Sequence, residues 1–176
     1  MSERLSANFS AAEFACKDGC GFDTPEPMPD PPEHPVTYSE ACVELVKRAE
    51  GFREEPYVCP GGILTIGFGT TRNAIPGIKV SREFAEVLLR EDLDAALADV
   101  RRLVKAPLTQ GQLDALVSFV HNLGAGAFGG STMRRYINGK AYTNAAEEFG
   151  KWVHSKGRKL PGLVTRRADE RALFLS

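Results

Sequence analysis

"AEGFREEPYVCPGGILTIGFGTT", residues 49–71, is the stretch on which the fold turns. It opens with a carboxylate, Glu50, that ends an apolar helical run. Gly51 follows and is suited to the left-handed residue that closes a helix. Beyond it, β-branched and aromatic residues stand between glycines and prolines, the pattern of short strands joined by tight turns. Cys59 and Thr65 flank the turn "PGGIL" (60–64). In a hairpin these two side chains lie near each other, opposite the helix end that carries Glu50. The glycines let a ligand approach the backbone closely. A buried small Cys and a strand-forming Thr are the plainer readings of the same two residues.

Upstream, Thr37 and Glu40 form a T-x-x-E capping box, and Cys42, Val43, Val46 and Ala49 fall on one helical face. Downstream the pattern is helical. A long amphipathic helix is predicted from Ser81 to about Lys105, broken by Pro107. Thr109 with Gln112 caps the next, which carries Leu113, Leu116, Val117, Val120 and Leu123 on its face and stops at Gly124. Further helices are predicted from Ser131, over 143–154 with Ala145, Phe149 and Trp152 inward, and over Thr165–Phe174. The fold class is α+β: mostly helical, with a small sheet near its start.

Glu50 edges onto the apolar face of its helix and sits in the last turn, at the negative end of the dipole. Burial and the dipole both disfavour charge there, the setting a general acid uses. A plain exposed Glu at a frayed helix end is the alternative.

The 176 residues have the composition of an ordinary soluble protein, with 43% hydrophobic and 26% charged side chains. The net charge of −1 hides an asymmetry. Residues 1–37 hold seven acids and two bases, whereas from Ser131 onward ten Lys or Arg face four acids. A basic tail half suits an anionic polymer, or is simply a solvated face. The first 35 residues hold no apolar run of signal-peptide length. Nothing approaches the ~18 apolar residues of a membrane span, so synthesis in a cytoplasm without membrane insertion is expected. Six of the eleven prolines lie in residues 24–35. This divides the chain into a short arm (1–23), a Pro-rich linker (24–36) and a main domain (37–176). The four cysteines, at 16, 20, 42 and 59, lack zinc-ribbon spacing, and no metal site is expected. "GAGAFGG" (124–130) satisfies G-x-G-x-x-G but follows a helix, which rejects a dinucleotide site; no cofactor and no nucleic-acid partner are expected.

The spacing Glu50, eight residues, Cys59, five residues, Thr65 resembles the catalytic signature of the phage-type lysozymes (endolysins) of glycoside hydrolase family 24. "EGFREEPYVCPGGILTIGFGTT" resembles that family's first block. "DALVSFVHNLGAGAF" (114–128), "STMRRYINGKAY" (131–142) and "AAEEFGKWVHSKGRKLPGLVTRRADERALF" (145–174) resemble its later blocks in order. The likeness is nearest to endolysins of lambdoid and related tailed phages that carry Cys rather than Asp. It implies a lysozyme-like fold and hydrolysis of the β-1,4 bond between N-acetylmuramic acid and N-acetylglucosamine in peptidoglycan.

By this resemblance Glu50 is the general acid and Cys59 stands where many members have a carboxylate. It leaves open whether the thiol orients water, acts as a base or attacks. Thr65 positions water or sugar. His121, Asn122 and Ser131 line the saccharide cleft, Tyr57 and Arg53 support the acid, and Arg166 or its neighbour pairs with Glu50. The resemblance further implies a monomer, made in the host cytoplasm and reaching the wall through a holin-type pore. The basic excess then matches an anionic wall. Trp152 reads as core. A catalytically impaired peptidoglycan-binding protein and a lytic transglycosylase are the competing readings. For the arm, wall docking and a redox role, in which Cys16 or Cys20 bonds Cys59, are both carried as expectations.

Overall fold

A computed structural model describes residues 35–59, 62–72 and 74–176. The arm, its two cysteines and all but the end of the linker fall outside the described residues. Residues Glu33–Ser176 form one compact unit.

Helix α1 spans Glu40–Glu50. Its cap is Ser39, not Thr37: the Ser39 hydroxyl accepts from the Ala41 amide. Ser39 is pinned there by Asp114, which accepts from its amide at 2.8 Å and from its hydroxyl. The buried face is Cys42, Val43, Leu45 and Val46. Ala49, expected inward, is exposed. The last turn has left the core, so the inward position there belongs to Glu50.

Strands β1 (Arg53–Val58) and β2 (Leu64–Gly67) pair antiparallel, with Tyr57 opposite Thr65 and Val58 opposite Leu64. The register slips between Arg53 and Tyr57. Pro56, which cannot donate to a ladder, stands in that irregular stretch. After β2 the chain makes a tight reversal, with reciprocal backbone bonds between Ile66 and Thr70. Gly67 and Gly69 both have positive φ, 64° and 93°, which the reversal demands. Between them Phe68 is buried and tilts against Phe52 at 5.3 Å, fastening the hairpin lobe to the core.

Helices α2 (Arg82–Leu103) and α3 (Gln110–Leu123) match expectation, with Ser81 and Thr109 as caps and the Thr109–Gln112 capping box present. Every residue from Gln112 to Val120 is buried, so α3 is enclosed on all sides by α1, α2, α4 (Ala125–Gly130) and α7 (Pro161–Phe174). Phe119 at its centre meets Phe128, Phe149 and Trp152 edge-on, at 6.1, 5.4 and 5.5 Å. Trp152, half-buried, therefore packs against the core.

The C-terminal third differs in detail. The glycine-rich run Ala125–Gly130, for which no element was predicted, is helix α4. Helix α5 covers Thr132–Asn138. The helix expected over 143–154 is shorter: α6 is Tyr142–Glu148, followed by a 3₁₀ turn at Phe149–Lys151. A two-residue hairpin then pairs β3 (His154–Ser155) with β4 (Arg158–Lys159) through Lys156 and Gly157, both at positive φ. Helix α7 (Pro161–Phe174) begins four residues before the predicted start, because Pro161 presets the first helical turn.

Candidate active site

A cleft of about 490 Å³ opens where the hairpin lobe meets α1, α2 and the end of α3. Glu50, Tyr57, Cys59, Thr65, His121 and Asn122 all line it. Glu50 and Thr65, 15 positions apart in sequence, and His121 and Asn122 on α3 thus share one wall system.

Glu50 reaches the cleft because α1 ends there. The Gly51 amide donates to Lys47 O at 3.0 Å, and φ of 69° turns the chain into β1. The Glu50 side chain keeps 25% of its exposure. Beside it Arg166, 4% exposed on α7, donates from Nη1 to Glu50 Oε1. Of the two adjacent arginines considered, Arg166 is the partner. The other oxygen, Oε2, faces Gly69, where an added Cβ would sit 3.2 Å away. The positive-φ glycine thus serves two ends. It makes the reversal, and it leaves Oε2 uncrowded.

The hairpin supplies the opposite side. Tyr57 and Cys59 are two residues apart, and Tyr57 pairs with Thr65, so all three share one face of the ribbon. The Cys59 amide donates to Ile63 O at 2.9 Å and its carbonyl accepts from Gly62 at 2.8 Å, closing the turn. Thr65 is buried, and its hydroxyl donates to Ile63 O at 3.0 Å. With its proton so committed, the Thr65 oxygen presents lone pairs. Arg53 does not line the cleft; its guanidinium stacks on the Tyr57 ring at 4.7 Å.

His121 is held neutral by burial first and the nearby Arg166 charge second, against the pull of Glu50 and Asp92; both lower its pKa from the ordinary 6.5. Its Nδ1 is buried without a hydrogen-bond partner among the described residues. Asn122 accepts through Oδ1 from Arg167 at 2.9 Å. Ser131, predicted in the cleft, is not part of it. Its hydroxyl donates to Phe128 O at 2.7 Å and accepts from the Arg134 amide at 3.0 Å, so the residue is spent on capping α5.

Sequence reasoning missed the α2 wall. Asp92, Ala95, Ala96 and Asp99 line the cleft at the i, i+3, i+4, i+7 spacing of one helical face. That alternation of acid and small residue inside "EDLDAALAD" was the available signal. Asp92 accepts from Thr70 Oγ1 at 2.8 Å and from Arg72 Nε at 3.0 Å, tying the far end of the hairpin lobe to α2. Among the described residues no group of three or more His, Cys, Asp or Glu is arranged to hold a metal ion.

The model of the family "Phage lysozyme" matches residues 47–170. The chain belongs to the phage lysozyme family. It is a glycoside hydrolase of the lysozyme type, with peptidoglycan as substrate and the host cell wall as its place of action. It is 43% identical over 142 residues to an endolysin of Acyrthosiphon pisum secondary endosymbiont phage 1, covering 78% of this chain and 97% of that one. The muramidase domain of SpmX from Asticaccaulis excentricus superposes with a TM-score of 0.75 at 42% identity, covering 82% of this chain and 99% of the other. A P22 lysozyme mutant superposes with a TM-score of 0.73 at 38% identity, covering 81% and 100%. The α+β, lysozyme-like class read from the sequence is the fold of these relatives.

Proposed function

We propose that this phage lysozyme is an endolysin that cleaves the β-1,4 bond between N-acetylmuramic acid and N-acetylglucosamine, with Glu50 as general acid. The observation that carries the reading is the division of labour on Glu50: Oε1 is engaged by Arg166, while Oε2 lies beside Gly69, and Glu50 and Gly69 both line the cleft. A proton on Oε2 passes to the leaving glycosidic oxygen as the C–O bond breaks and positive charge grows on the sugar. Arg166 then holds the carboxylate that remains. Water attacks from the hairpin side. One of its protons is oriented by the Thr65 oxygen, whose own proton is given to Ile63. Cys59 borders the same water site and, as the thiolate, takes the proton that water loses when its oxygen bonds to the anomeric carbon. His121, neutral, and Asn122, steered by Arg167, bind the sugar.

Digestion of purified peptidoglycan by wild type and Cys59→Ser, with analysis of the new chain ends, tests this reading. It predicts reducing ends from wild type and a strong loss of rate in Cys59→Ser. Anhydro-muramyl ends would make the protein a lytic transglycosylase, and wall binding without new ends would make it a binding protein. Action as a monomer, and access to the wall through a holin-type lesion, belong to the same proposal. Sedimentation of the purified chain and lysis timing with and without a co-expressed holin test them.

A further inference from the structure

Beneath the cleft lies a carboxylate that touches neither cleft nor solvent. Glu170 on α7 is 0% exposed. Its Oε1 accepts from Ser118 Oγ at 2.7 Å, Arg167 Nη2 at 3.1 Å and Arg166 Nε at 3.2 Å. Its Oε2 lies 3.0 Å from Arg167 Nε. Arg166 reaches the cleft with a second nitrogen, whereas Arg167 reaches it with the same Nη2 that meets Glu170. Arg166 donates from Nη1 to Glu50 and from Nη2 to Ser118 O at 3.2 Å, and Arg167 donates to Asn122 Oδ1.

From this geometry we infer that Glu170 is a positioning residue for the reaction, acting through Arg166 on Glu50 and through Arg167 on Asn122. The inference rests on the reading of Glu50 as general acid.

Two like charges at adjacent positions, both almost fully buried, do not stay aligned without a counter-charge. Burial lowers the Arg167 guanidinium to about 10, so it remains a cation at neutral pH. Burial likewise pushes the Glu170 carboxyl up, and both guanidiniums oppose that rise. The Arg166 charge is therefore divided between two carboxylates, Glu170 below and Glu50 above. Glu50 also feels Arg167 from α7 and His121 from α3, and His121 in turn feels Asp92 from α2. Removing the Glu170 charge turns the whole of Arg166 toward Glu50. That favours the Glu50 carboxylate over the acid form that catalysis consumes. A buried carboxylate that only stabilised the fold would lower the melting temperature and leave the pH profile in place.

The test measures hydrolysis of soluble peptidoglycan fragments against pH for the full chain carrying Glu170→Gln, Ser118→Ala or Glu50→Gln. Glu170→Gln is expected to lose roughly tenfold in kcat, with the alkaline limb of the profile moved about one pH unit lower. Ser118→Ala removes one bond to Glu170 without taking charge from the core, and covers the case in which Glu170→Gln does not fold. It is expected to lower kcat severalfold with KM unchanged. An alkaline limb of wild-type position in folded Glu170→Gln, or unaltered kcat in Ser118→Ala, overturns the assignment. Glu50→Gln separates the two levels. If it is inactive while the other variants keep the wild-type profile, only the role of Glu170 falls. If it stays active, the reading of Glu50 falls first.

Discussion

The β1–β2 hairpin and the α3–α7 pair both face Glu50, and they hold their side chains by opposite means. Most of β1 is exposed, its ladder is interrupted near Pro56, and the lobe's grip on the body comes from Ile66 and Phe68, the Glu54–Val80 backbone bond and the Thr70–Asp92 bond. On the other side α3 is buried all round, and Arg166, Arg167 and Glu170 form a solvent-free ion network. The charged partner of the proposed acid is thus set in the buried interior, and the water-handling groups lie on a thin ribbon. A lone ribbon of two short strands has little stability of its own. The comparison teaches that the lobe's order is borrowed through a few contacts, whereas that of the base is intrinsic.

Damage to the base should cost most. Arg166→Met leaves Glu50 without its donor and Glu170 with one guanidinium instead of two. Chemical denaturation should show a loss of about 3 kcal/mol, and peptidoglycan clearing a loss of roughly a hundredfold. Next comes the lobe's anchor. Phe68→Ala empties a fully buried site, and a loss of about 3 kcal/mol is expected. Here hydrogen exchange should rise first in β1 and β2 and hardly at all in α3, which tests the difference between the two regions directly. Gly69→Ala is smaller. Strain at positive φ costs about 1–2 kcal/mol, while the new methyl crowds Glu50 Oε2. Activity should therefore fall further than a matched loss of stability elsewhere would explain.

The smallest effect is in pH dependence. Below the ordinary 6.5 of histidine the unfolded chain takes a proton on His121 that the folded chain refuses. The unfolded state then binds more protons, so stability falls as pH drops through that value. His121→Gln should show a shallower decline over that range in thermal melts.

What was legible in the sequence was local. Glu50, Cys59 and Thr65 lie within one turn-rich segment, and their spacing and glycines announced a helix end facing a hairpin. Caps at Ser81 and Thr109 were equally plain. Errors arose where a residue's role is decided from far away. Ser39 displaced Thr37 as the α1 cap because Asp114, 75 positions on, holds it. Ser131 is a different case: the resemblance placed it in the cleft, yet its hydroxyl is used locally, on Phe128 and on the cap of α5. Glycine content hid α4, the helix predicted over 143–154 ran on through the 3₁₀ turn at Phe149–Lys151, and the hairpin around Lys156–Gly157 was not predicted. Glu170 was least visible. Nothing in "RRADER" marks Glu170 as interior, and only the packing of α7 on α3 shows that three of its five charges are enclosed.

Clearing of purified peptidoglycan by wild type and by Glu50→Gln is the most direct test of the central claim. Glu50→Gln keeps the shape of the side chain and can still meet Arg166 through its amide oxygen, but it has no proton to give. The account predicts clearing by wild type and none above background by a folded Glu50→Gln that still binds the wall. Clearing at a similar rate by both would contradict it.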